Sequence, residues 1–311
     1  MGGSGGGGGG YFGKGDIVKL QKQVQEAQDE SKKAEYVAAC NAYLTSLLAD
    51  FNDRDDDAID VFLDEILEAL EKKLTGSIKL RFGGSVAKHT FVDGVSDVDS
   101  LLLLDSCELA DKSPNVAKKE LAGILKAKFP TATVTEGKLA ITLIRGDLEI
   151  QLLPAVSCRN NVKITATNGK EWSTIQPKKF TDALTSANKQ LSGKLVPTIK
   201  LAKALIATLP AQQQISGYHL EALAIEAFKG YKAPPTPAAI LHHFFSKASQ
   251  LVLRPIKDRT GQSVHVDDKL GDAQSLERRI ISGAFSRFAR RMSNADAASN
   301  VDDWKVMFGD Q

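Results

Sequence analysis

Two aspartates, Asp97 and Asp99, open the apolar run from Ser100 to Leu104, and Gly83-Gly84-Ser85 precedes them. Residues two apart in an extended segment project to one face, so both carboxylates would emerge together. Paired carboxylates repel unless a cation lies between them, the usual arrangement for Mg²⁺ bridging a polyphosphate. Glycines after a strand let backbone N–H groups approach phosphate closely, and a helix starting there, with Ser85 as an added hydroxyl donor, suits an anion. Taken singly, Gly-Gly-Ser is more often a turn and Asp-x-Asp a solvated loop or cap. Together, with the acidic pair leading into an apolar strand, they specify metal-bound phosphate.

The elements around this segment follow from periodicity. Residues 17–48 and 57–74 have helical spacing, the second with Val61, Phe62, Ile66, Leu67, Leu70 and Leu74 as its apolar positions and Gly76 as its stop. Extended segments are expected at 77–82, 99–104, 133–136, 139–144 and 147–153, with a helix at 115–128. Beyond Pro177 the chain reads as helices at 177–192, 195–208, 217–228, 236–249 and 275–289, and a last one ending near Trp304. The expected class is α+β. A flexible glycine-rich tail (1–15) leads to a mixed-sheet lobe clasped by N-terminal helices (16–175), and a helical lobe (176–311) follows.

Composition narrows the function classes. The 311 residues are 42% hydrophobic and 25% charged, enough for a substantial core, and carry a formal net charge of +2. That charge does not predict a surface coated by nucleic acid, so no stable nucleic-acid partner is expected. Three scattered cysteines (Cys40, Cys107, Cys158) lack metal-ligand spacing and fit a reducing compartment. No membrane span or signal segment is recognisable, and a cytoplasmic protein is expected. The acidic stretch at 50–73 reads as a solvated helix face, and His242-His243 as packing.

Gly84-Ser85 followed by Ser96-Asp97-Val98-Asp99 resembles the hallmark of the polymerase-β nucleotidyltransferase superfamily. The fuller string, Gly84-Ser85-Val86-Ala87-Lys88-His89-Thr90 and Gly94-Val95-Ser96-Asp97-Val98-Asp99, is similar to that of the bacterial cGAS/DncV-like nucleotidyltransferases (CD-NTases) of anti-phage signalling, relatives of oligoadenylate synthase. The likeness continues through Leu148–Ala155, Trp172 with Gln176-Pro177, Gly193–Pro197 with Lys203, Ser216–Glu221, and Trp304 with Phe308-Gly309. It implies a Mg²⁺-dependent enzyme, with Mn²⁺ as a substitute, that joins NTPs, ATP among them, into a cyclic di- or trinucleotide. The diffusible product would act on a separate effector, alongside ancillary regulators of the defence system.

The resemblance places metal at Asp97, Asp99 and a third carboxylate. At the third position, three residues before Pro154, stands Gln151, a neutral amide that cannot act as a base. Glu149, on the same strand face, is the expected replacement; a site completed by Gln151, or an impaired enzyme, stays open. Gly84, Ser85, Lys203 and Ser216 are expected at phosphates, Tyr218 at a nucleobase, and Lys88 and Thr90 at phosphate or acceptor. In relatives a serine often precedes the tyrosine; here Gly217 does, which weakens the assignment of Ser216. The rival readings are an RNA-end nucleotidyltransferase and a nucleotide-binding pseudo-enzyme.

Overall fold

The computed structural model describes residues 14–51, 56–92, 98–146, 148–159, 161–166 and 168–310. The glycine run of the N-terminal tail and Asp97 lie outside the described residues. Two helices, α1 (Lys14–Asp50) and α2 (Asp56–Glu71), precede the first strand, β1 (Gly76–Phe82). A single helical turn, α3 (Gly84–Ala87), then leads towards β2 (Val98–Cys107), followed by α4 (Pro114–Lys128), β3 (Thr133–Glu136), β4 (Ile141–Arg145) and β5 (Leu148–Cys158).

The sheet runs β1-β2-β5-β4-β3, and the central pair, β2 and β5, is parallel while its other pairings are antiparallel. Side-chain alternation splits the two central strands cleanly. Val98, Leu102, Leu104, Ile150 and Leu152 point into a core closed by Phe62, Ile66 and Leu70 of α2 and Leu121 and Leu125 of α4. The opposite face carries Asp99, Glu149 and Gln151, all only partly buried. Ile59, Phe62, Leu63, Ile66 and Leu70 form the buried stripe of α2, whereas Val61 is 56% exposed.

Strand β5 outruns its neighbours, and its far end pairs with β6 (Asn161–Thr165), which pairs in turn with β7 (Trp172–Ile175). Sequence periodicity did not separate these two short strands from loop.

The remaining helices are α5 (Pro177–Gln190), α6 (Leu195–Ala207), α7 (Gly217–Ala227), α8 (Pro237–Leu251), α9 (Leu276–Ala298) and α10 (Asp302–Phe308). They share a second core that includes Leu205, Leu223, Phe244, Phe245, Phe285 and Trp304. Helix α1, grouped by sequence with the sheet lobe, buries Tyr36, Cys40 and Leu44 in this helical core instead. The Trp304 indole N–H donates to the Tyr36 hydroxyl at 2.9 Å, and that hydroxyl donates to Asp296 at 2.6 Å. Residues four apart form one contact stripe, which is why a helix with little apolar pattern overall still docks by its last turns. Among the described residues no helix is long and apolar enough to cross a membrane.

Candidate active site

Asp99 sits at the start of β2, beside α3. The Gly83 N–H donates to the Asp99 carbonyl at 2.8 Å, and the Ser85 N–H reaches its carboxylate at 3.3 Å. Gly84 makes this approach achievable. It has φ +45°, and a Cβ there would lie 1.6 Å from Asp99 Oδ2, so glycine is required for both conformation and space. The expected phosphate-binding helix is only the one turn α3. Its contribution is therefore local N–H groups, of which Ser85 N–H is already turned to Asp99, rather than a developed helix dipole. The Ser85 hydroxyl is buried without a hydrogen-bond partner among the described residues.

The parallel register sets Asp99 directly beside Gln151 of β5. Glu149 stands one rung away on the same face, and the Gln151 amide donates to its carboxylate at 3.5 Å. Burial raises the Asp99 pKa; the Ser85 N–H, Lys88 and Lys203 oppose the shift, and Glu221 adds to it. A half-buried carboxylate with cations nearby but no direct ion pair among the described residues is a group suited to receiving a metal ion. Among the described residues no cluster of three His, Cys, Asp or Glu forms a metal cage. Asp97 falls outside them, so the set at hand is Asp99 with Glu149 and Gln151.

Opposite these strands, α6 and α7 present Lys203 and Glu221 from largely apolar buried faces. Glu221 is 1% exposed, yet it meets three donors. Lys88 pairs with its Oε2, the Thr90 hydroxyl donates to its Oε1 at 2.5 Å, and Lys203 Nζ lies 3.4 Å from Oε1. Lys203 also donates to the Thr90 carbonyl at 2.8 Å. Burial lowers the Lys203 pKa, and Glu221 works against that shift. Gly217 lies against this lysine: a Cβ would come within 3.2 Å of Lys203 Cε.

Tyr218 packs on Phe180 with ring centroids 4.5 Å apart, and its hydroxyl donates to Asp258 at 2.7 Å. Burial and the Asp258 carboxylate both raise the tyrosine pKa, leaving a neutral phenol. Lys88 Nζ stands 5.2 Å and 5.4 Å from the Phe180 and Tyr218 ring centres. Ser216 is the N-cap of α7, its hydroxyl oxygen accepting from the His219 N–H at 3.3 Å. That bond leaves the hydroxyl proton for another acceptor. Thr90, expected at phosphate or acceptor, is fully buried with its hydroxyl committed to Glu221.

Lys88 and Lys203 are thus brought together, Asp99 and Gln151 are adjacent, and Tyr218 joins the Lys88 side of the cluster. Glu221, Phe180 and Asp258 carried no separate signal in sequence. A glutamate inside the run Leu220–Ala224 reads as an ordinary helix position until its neighbours from α3 and α6 are known.

Residues 39–188 match the family model described as the Second Messenger Oligonucleotide or Dinucleotide Synthetase domain. No curated protein matches the chain. Similar solved structures include the CD-NTase CdnG of Bradyrhizobium diazoefficiens in complex with GTP, with TM-score 0.65 and 14% identity, covering 88% of this chain and 96% of that one. CdnC of E. coli MS115-1 with ATP has TM-score 0.62 and 15% identity, over 87% and 97%. The Vibrio cholerae DncV cyclic AMP-GMP synthase with a linear intermediate has TM-score 0.61 and 11% identity, over 94% and 90%. These likenesses establish the α+β, polymerase-β-like nucleotidyltransferase fold.

Proposed function

We propose that this chain, which carries a Second Messenger Oligonucleotide or Dinucleotide Synthetase domain, joins nucleoside triphosphates into a cyclic di- or trinucleotide messenger. The observation that carries this reading is the convergence of Asp99 on Gly84-Ser85 from one lobe with Lys88 and Lys203 packed nearby.

Asp97, Asp99 and Glu149 would hold Mg²⁺, or Mn²⁺ in its place; these hard oxygen ligands suit either cation, and the half-buried Asp99 carboxylate fits the role. When bound, the metal would neutralise charge building on the reacting phosphate. Gly84 and Ser85 would hold the β- and γ-phosphates, the buried Ser85 hydroxyl supplying a donor. Lys88 and Lys203 would offset the charge of departing pyrophosphate. Ser216 would add a hydroxyl to a phosphate, and Tyr218, fixed by Phe180 and Asp258, would pack on a base. A ribose hydroxyl oxygen forms the new bond to the α-phosphorus as the bond to the bridging pyrophosphate oxygen breaks. Glu149 would accept the hydroxyl proton, and Gln151, whose amide donates to its carboxylate, would help hold it. Repetition and ring closure give the messenger.

This reading assigns the metal and phosphate-turn residues to the sheet lobe (16–175, of which α1 packs in the helical core) and the remaining nucleotide contacts to the helical lobe (176–311). It also assigns the chain to a cytoplasmic anti-phage signalling system, acting on its effector through the diffusible product. ATP and GTP, held by two of the similar structures, are the first substrates to test. Incubation with labelled NTPs and Mg²⁺, then phosphatase, should leave a small phosphatase-resistant product. Label appearing only on added RNA would instead support an RNA-end transferase. One observation favours a second reading, nucleotide binding without turnover: Gln151, not a carboxylate, stands directly beside Asp99. Binding with no product under either metal would establish it.

A further inference from the structure

The two lysines proposed to hold the triphosphate do not stand open in the cleft; one buried carboxylate holds them both. We infer that Glu221 is a positioning residue that spans the two lobes and keeps Lys88 and Lys203 charged and in place beside the triphosphate site. This inference rests on the proposed nucleotide site.

The geometry has three parts. First, Glu221 is contributed by α7, whereas Lys88 and Thr90 follow α3 and Lys203 belongs to α6, so one side chain ties three segments together. Second, the cluster is nearly dry: side-chain exposure is 12% for Lys88, 7% for Lys203 and 1% for Glu221. Two ammonium groups this close repel, and in a low-dielectric setting an intervening carboxylate is needed to keep both charged and in place. The charged groups acting on Lys203 are Glu221 of α7, Lys88 after α3 and Asp99 of β2. Third, Lys88 is anchored but not saturated: an ammonium has three donors, and Glu221 takes one, leaving capacity for phosphate oxygens. Lys203 has the Thr90 carbonyl, the Thr90 hydroxyl and Glu221 as acceptors for its three, so it acts on the triphosphate through its charge.

Glu221 therefore acts through the lysines and touches no reacting atom. Glu221→Gln keeps the shape and the Thr90 contact but removes the counter-charge. Its expected effect is about tenfold weaker binding of ATP and of inorganic tripolyphosphate, the scale of a lost charge-assisted hydrogen bond. The KM for ATP should rise by a similar factor, with kcat falling about threefold or less. The alkaline limb of kcat/KM should move to lower pH, because Lys203 then loses its proton more easily; a purely structural role would not move it. Glu221→Asp, which restores the charge on a shorter arm, should recover part of the affinity.

Binding is measured by calorimetry on the full chain, with folding checked by thermal melting. If Glu221→Gln does not fold, Thr90→Val tests the same link, with an expected loss of about threefold in tripolyphosphate affinity. Equal binding by wild type and whichever variant folds would overturn the inference. So would absence of tripolyphosphate binding by wild type. Binding that responds to Glu221 as expected, in a protein that makes no product, would leave this inference standing and remove the synthase reading instead.

Discussion

Among the described residues, two clusters of buried charge differ in kind: one is closed on itself, and the other forms the proposed ligand site. In the helical lobe Arg278 is fully buried and every guanidinium nitrogen is occupied. It donates to the carbonyls of Val252, Asp267, Gly271 and Asp272 and at 2.6 Å to the Asp267 carboxylate. Asp267 also accepts from the Ile256 N–H, so the pair fastens the 252–272 segment to α9. At the cleft, by contrast, Lys88, Lys203, Glu221 and Asp99 come from different segments of both lobes, and the Ser85 hydroxyl keeps unused donor capacity. Burial and charge are common to both. Spare hydrogen-bonding capacity and convergence from separate elements distinguish the site.

The comparison breaks first at Asp99. Asp99→Asn should lower NTP turnover by about a thousandfold or more, the scale of losing a charged group at the reaction centre, while thermal melting shows the fold retained. Loss of folding instead would make Asp99 a structural residue like Arg278. The reverse pattern is expected for Arg278→Met. Urea unfolding should show about 3–5 kcal/mol of lost stability, because Asp267 is left as an uncompensated buried charge. Nucleotide affinity per folded molecule should stay within about twofold.

Gly84→Ala probes the contact between the glycine turn and Asp99. Positive φ alone costs about 1–2 kcal/mol for a residue with a Cβ, and the added carbon must also push the Asp99 carboxylate aside. Turnover should fall at least about tenfold, with stability reduced by only that strain. Unchanged turnover would mean that Asp99 need not sit against the turn.

The smallest effect sharpens the structural side. His219 is 1% exposed beside Asp267, and burial lowers its pKa from 6.5 to about 4. It is neutral in the fold, whereas the unfolded chain binds its proton below about 6.5. Its contribution to stability is therefore fully present above that pH and is lost as pH falls through about 4. His219→Gln should flatten this part of the stability profile relative to wild type. Parallel profiles would show that His219 titrates alike in both states.

Much of this organisation was legible in sequence because its signals are local. Strand β2 follows from its apolar run, α4 from its periodicity and flanking Pro114 and Pro130, and the meeting of the glycine turn with Asp99 from glycines and aspartates close in the chain. What sequence withheld depends on tertiary partners. Val61 shares helical spacing with core residues, but the face of α2 that meets the sheet is set by Ile59 and Leu63, so Val61 remains outside. Strands β6 and β7 are too short to show a period and exist because β5 extends far enough to pair with β6. Glu221 looks like any helix glutamate, and its role emerges only when Lys88 and Lys203 arrive from elsewhere. The replacement at Gln151 was visible as a departure, and the register places it beside Asp99 with Glu149 one rung away.

The central claim is that the Asp99 cluster carries phosphoryl chemistry, and pyrophosphate release tests it most directly. Wild-type protein with ATP, GTP and Mg²⁺ should release pyrophosphate in proportion to NTP incorporated, release should stop on chelation of the metal, and Asp99→Asn should release none above background. Pyrophosphate release by Asp99→Asn equal to wild type would contradict the account.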